Sequence, residues 1–572
     1  MKRKVVTGIL AFVALFTGIV GLASCDKPEE ETNKPEEETN FYFEKKNNTL
    51  TLVGVKDTTV TELVVPDEVN IIASNAFSEC QNVKKITIGS KALSISSNAF
   101  EGCSSLTEII VDENNIVYQS IDGNMYSIDG GTLIRYATGK EQETFTIPNG
   151  VTIIGDEAFS GCEHLTSMQL PDSVTILGYG AFLGCSNLTS FVFGNGLTKI
   201  SSHAFYDCSS LTEVEINDSI TGIGYYAFGN CSAIKNIVIP DGLTSIDDRA
   251  FLGCSNLTSF VFGNGITEIS DFMLYDCVNL TEVTISDSIT EISDYAFGNC
   301  SALKNIVIPG GVTFVSCGAF IDCVNLQSVS LGNGIEIISS VAFKGCSSLT
   351  EIEIPRSVTK IGVGAFMDCT NLTNIVISDS VTEMGAMVFQ NCVRLTGVHL
   401  GNGIKELDDS SFFGCSNLTS VVIPNGVETI GNHAFGSCSS LISVVIPDTV
   451  KKIEKYVFMG CSLLTDVNLP ENLTAIGEYT FNRCENLTSI VIPNGVTTIS
   501  QGLFLGCIRL ESVVIPVSVT SIEESAFNGC NSLTEVEYQG TESDWSKIAI
   551  AEGNKIVREI IEGEDSGWTG IF

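Results

Sequence analysis

Twenty-one cysteines and four histidines are the side chains of this 572-residue sequence best suited to chemistry. A thiolate beside an imidazole would be a nucleophile, and clustered thiolates would hold a soft metal. The spacing argues for something else. After Cys25 come Cys80 and Cys103, and from Cys162 to Cys530 a cysteine recurs every 23 residues, 17 times in all, with Cys317 alone out of register. His164, His203, His399 and His433 stand in no ligand or nucleophile motif, and His203 and His433 occupy one repeat position ten coils apart. Catalysis needs unlike groups that converge, so no enzyme, no metal site and no cofactor is expected. Turns such as Ser378-Asp379-Ser380 offer oxygens but lack the Gly-Asp pattern of calcium-binding repeats.

The elements that would position these thiols follow from the same register. Three residues before the cysteine stands Phe, replaced once by Leu274; three after it stands Leu, or Val83 or Ile234. The eleven prolines from Pro66 to Pro516 all lie nine residues after a ladder position. Alignment yields the unit C-x-x-L-T-x-V-x-I-P-x-x-V-T-x-I-x-x-x-A-F-x-G. In Leu441-x-x-Val444-x-Ile446, β-branched residues at alternate positions mark a short strand, and the following proline ends it. A unit so short cannot bury its own apolar residues, so coils must stack and share a core.

This string resembles the BspA-like, Treponema-type leucine-rich repeat over roughly residues 50 to 540. The resemblance implies a solenoid with a parallel β-sheet on its concave face and short turns or 3-10 segments opposite. Asp57 and Gly139 fill the cysteine register of two further coils, which brings the count to about 21. At about 4.8 Å per strand, the sheet would run on the order of 95 Å. Neighbouring thiols would fall within disulfide range, yet their parallel Cβ directions and odd number favour a packed column of small apolar groups.

Domain limits follow. Residues 41–57 read as an N-terminal cap and 58–539 as the solenoid, interrupted near 113–139 by a hairpin signal around Asp129-Gly130-Gly131 that would project from its edge or back. Residues 540–572 carry Trp545 and Trp568 and read as a C-terminal cap, with a helix start at Thr541. The string AFLGCSNLTSF occurs at 181 and again at 250, and AFGNCSA at 227 and 296. Both offsets equal three coils, the mark of a copied block.

Lys2, Arg3 and Lys4 precede an apolar run to about Gly21, and Leu22-Ala23-Ser24-Cys25 resembles the bacterial lipobox. The resemblance implies a signal peptide over 1–24, a lipid on Cys25 as the sole membrane attachment, and an exported protein at the outer membrane or cell surface. Residues 25–40 carry KPEEETN twice, a charged tether of at most about 50 Å, and in outer-membrane bacteria Asp26 with Glu29 to Glu31 resembles a signal for surface display. With 68 acidic against 30 basic residues the net charge is −38, which disfavours nucleic acid.

What remains for function is surface. Positions three, six and eight after the cysteine point inward, so position seven points out of the sheet. That position is valine at Val192, Val238, Val261, Val307, Val376, Val422, Val445, Val491 and Val514. The family resemblance implies adhesion through such a ribbon, to host matrix proteins, host cells or other bacteria. A structural spacer or envelope-layer protein without a specific ligand is the other reading.

Overall fold

The computed structural model describes residues 39–562. Cys25, the signal peptide, most of the tether and Trp568 lie outside them. Contacts divide the chain into residues 1–40 and 41–572, and the second unit is a stack of short coils whose strands pair mostly in parallel.

Each regular coil has three sides. The first is a three-residue strand such as Ser190–Val192, paired in register with Ser167–Gln169 before it and Glu213–Glu215 after it. Proline or glycine in most coils, and Asn217, Ser286 or Ser378 in three, then turns the chain into a second, two-residue strand such as Lys199–Ile200, paired with Gly222–Ile223. This second ladder adds strand to a side for which turns or 3-10 segments were expected; among the described residues one 3-10 segment occurs, Ser97–Phe100. The third side is a run of turns around Ala-Phe-x-x-Cys. It bonds to the next coil through its own backbone, as when Phe228 N–H donates to Ala250 O at 2.8 Å.

Turns can follow so tightly because two residues per coil, five and one before the cysteine, take left-handed φ. Gly, Asn and Asp tolerate this and fill most of the second position.

Inside, the Phe, Leu, Ile and Cys columns are almost fully buried. Successive Phe rings stack from Phe159 to Phe251 and from Phe297 to Phe527, with centroids 4.8–5.7 Å apart. Stacked pairs contribute about 0.5–1.5 kcal/mol each beyond area burial, so within each run the column ties one coil to the next.

The insertion does not project. Its strands Tyr118–Ile121, Asn124–Ser127 and Thr132–Arg135 pair antiparallel, and the last continues the second ladder by pairing parallel with Ile153–Ile154. The next residues then take up the repeat. Tyr136 enters the Phe column 5.1 Å from Phe159, and Arg135 occupies the alanine position. At 3% exposure its guanidinium is buried, donating to Glu157 O at 2.6 Å and Ser160 O at 3.1 Å. Gly139 replaces the cysteine because a Cβ there would lie 2.3 Å from the Ser105 carbonyl carbon. Two apolar cores meet at this point, one from Phe41 to Ala137 and one from Tyr126 to Val557.

At the ends, Phe41–Lys46 and Thr49–Val55 form an antiparallel hairpin whose second strand pairs with Ile71–Ile72. Thr541 caps the helix Glu542–Trp545 through a reciprocal capping box with Asp544, and Trp545 closes over Tyr538.

Candidate binding surface

The cysteines are placed to pack and to bond, not to react. Seventeen ladder sulfurs, Cys103 and then Cys185 through Cys530, lie 3.1–3.4 Å from the carbonyl oxygen 26 residues earlier, in the Phe column of the preceding coil. That oxygen already accepts its own coil's cysteine N–H; Phe228 O takes Cys231 N at 3.2 Å and Cys254 Sγ at 3.2 Å. The thiol thus fills the second lone pair of a buried carbonyl. Burial pushes the Cys254, Cys323 and Cys438 thiols up to about 12, so they keep the proton they donate, and raises that of Cys80 to about 11. The expectation of a purely apolar column missed this bond. A small residue at the one place where each coil must supply a donor was the signal.

Among the described residues no group of three or more His, Cys, Asp or Glu side chains is arranged to hold a metal ion. No described helix is long and apolar enough to cross a membrane. His203 and His433 lie half-buried between aromatic rings, and burial lowers the pKa of both.

The nine valines share one face, the outer side of the first-strand ladder. Val192, Val238, Val307, Val376, Val422, Val445 and Val491 are exposed, from 53% at Val192 to 67% at Val307, while Val261 and Val514 are half-buried. Beneath them Phe191, Ile237, Val421 and Ile490 are buried, as strand alternation requires.

This face is segmented. Its ladder breaks into short sheets, among them Ser167–Gln169 to Glu213–Glu215, Asn236–Val238 to Glu282–Thr284, Ser420–Val422 to Asp466–Asn468 and Ser489–Val491 to Glu535–Tyr538. Each of these four ends on a strand carrying acidic residues, and all nine valines lie in strands before the last of their sheet. Valine rungs therefore come in groups of one or two, separated by polar rungs. The three-coil offset of the copied blocks was the sequence signal for this segmentation.

A family model described as BspA type leucine-rich repeat region (6 copies) matches residues 55–128, 136–239, 221–350, 336–465 and 452–556. No curated protein matches the chain. Among solved structures, a leucine-rich repeat protein from Bacteroides ovatus is 24% identical, with 81% of this chain and 95% of that chain covered at a TM-score of 0.52. A leucine rich cell surface protein from Faecalibacterium prausnitzii is 23% identical over 92% of this chain and 98% of its own, with a TM-score of 0.25. A leucine-rich repeat protein of T. pallidum is 27% identical over 34% of this chain and 89% of its own, with a TM-score of 0.29.

Proposed function

Since the chain belongs to the BspA-type leucine-rich repeat family, whose repeats generally serve protein interactions, we propose that it is a surface lipoprotein binding other proteins through its valine-bearing sheet face. The observation that carries this reading is the row of exposed valines on one face, in groups of one or two parted by polar rungs. Aligned apolar side chains left in water mark an interaction surface more often than a solvated one. The occupants are extracellular or host proteins, or other bacterial cells, and adhesion is the consequence. Cys25 would carry the lipid that holds the chain to the membrane. Binding of this kind is multivalent, because the face repeats every few coils.

The copied three-coil blocks favour a second reading, in which length is what matters and the ribbon is a spacer. Changing Val422, Val445, Val491 and Val514 together to Glu separates the two. Attachment to immobilised matrix proteins and to cells should fall at least tenfold, with circular dichroism unchanged. Unaltered attachment by the folded variant would exclude this face.

A further inference from the structure

The third side of the coils carries a feature that the valine face does not explain. Five residues before each regular cysteine the backbone is left-handed, and Gly180, Gly318, Gly364 and Gly502 fill that position without strain. A residue with a Cβ costs roughly 1–2 kcal/mol there. Most coils nevertheless place a residue with a Cβ there, and in five consecutive ones these are the large side chains His203, Tyr226, Arg249, Phe272 and Tyr295, at φ 53–59°. They form one column: His203 to Tyr226 at 5.2 Å, the Arg249 guanidinium 5.9 Å from Tyr226 and 4.6 Å from Phe272, and Phe272 stacked on Tyr295 at 4.8 Å. What sets these five coils apart is the unbroken contact of rings and guanidinium from one to the next.

Beside the column runs a groove. Two cavities of about 420 and 330 Å³ adjoin, sharing Ser245 and Asp247, and together they span from Tyr179 to Ser270. Four coil steps at about 4.8 Å make this about 19 Å long. Gly222 and Gly224 line it and keep it clear of side chains there. Tyr179 stands in one cavity, 45% exposed, and Tyr225 in the other. The column holds both rings. Tyr179 packs 4.9 Å from His203; Tyr225 meets Tyr226 edge-on at 4.5 Å, and the Arg249 guanidinium lies 5.6 Å from its ring. The column thus fixes two aromatic platforms in a groove whose other polar groups are mainly hydroxyls and carboxylates, with Asp247, Asp248 and Glu268 set against a single lysine, Lys199.

That combination selects a ligand. Rings offer an apolar surface, while serine hydroxyls and carboxylates offer dense donors and acceptors at its margin. A molecule with one C–H face and a polar rim fits both, and a sugar ring is such a molecule. The carboxylates and the net charge of −38 reject phosphorylated or sulfated chains. An apolar peptide would leave the polar lining unpaired. We infer that the groove from Tyr179 to Ser270 binds a glycan chain of several neutral or amino-substituted sugar units.

The test uses the full chain against an array of neutral and amino oligosaccharides, with sulfated glycans and a lysine-rich peptide alongside, and calorimetry on whichever neutral or amino members bind. Binding confined to neutral or amino members is expected, weakened at least tenfold by Tyr179→Ala with Tyr225→Ala and retained by Tyr225→Phe. The Val422, Val445, Val491 and Val514 to Glu variant should keep it, because the groove lies on a different side, so failure here and failure of the adhesion face are distinguishable. An array with no bound neutral or amino member, unchanged affinity in the folded double-ring variant, or capture of the lysine-rich peptide alone would each overturn the inference.

Discussion

A ladder cysteine is selected on three counts at once: size, burial and a donor aimed at the preceding coil. Alanine would satisfy the first two and leave a carbonyl lone pair empty. Cys254→Ala should therefore cost about 1–2 kcal/mol, combining a lost hydrogen bond with a small cavity, as measured by urea unfolding. The twenty described thiols are free, and Cys317 alone of them is not fully buried, with its sulfur 3.9 Å from Tyr295 Oη. In a form beginning at residue 41, Cys317 should label first with a thiol reagent, and Cys317→Ser should remove that fast phase. Several ladder thiols labelling at the same rate would refute the buried column. The column itself was legible from spacing. The bond was not, because a repeat register says which residues align and not which atoms of adjacent coils meet.

At the level of the element, aromatic rings on the third side lean onto the coil that follows. Tyr479 covers Gly502 and Tyr295 covers Gly318, and a Cβ at either glycine would fall 2.3 or 2.5 Å from the ring. Both glycines also have positive φ, 59° and 58°. Gly502→Ala should lower stability by at least about 1–2 kcal/mol. Tyr479→Ala in the same chain should recover the steric part and leave the conformational part, a coupling that a double-mutant cycle reads directly. Additive effects would mean that the ring does not rest on the glycine. The short strands were legible from β-branched alternation and proline stops. The second two-residue ladder and the incorporation of the hairpin were not, since two residues carry no periodicity and the insertion's last strand pairs outside its own segment.

At the scale of the whole molecule the chain is strongly acidic, and its charge bears on stability. Burial raises the carboxyl pKa of Glu157, Asp248, Asp294 and Asp408, so the folded chain binds these protons more tightly than the unfolded one, and stability rises as pH falls through their raised values toward about 4. His203 and His433 act oppositely. Their lowered pKa resists protonation in the fold, and stability is lost as pH drops below about 6.5. Asp57, Asp129, Glu428 and Asp544, lowered chiefly by side-chain hydrogen bonds, oppose the four raised carboxyls below about pH 4, and above it the relief of self-repulsion at a net charge of −38 outweighs two histidines. The melting temperature should rise from pH 7 to pH 5 at low ionic strength, and with added salt at pH 7; a fall in both would contradict the balance. The sequence by itself determined the repeat, its register, the buried columns and the acidity, because each is a matter of residue type at fixed spacing. The tertiary structure decided what lies beside what: thiol under carbonyl, ring over glycine, valine rungs parted by polar ones, and Tyr179 and Tyr225 brought into one groove. Those neighbours are 23 or more residues apart along the chain, and only the stacking of coils brings them within reach of one another.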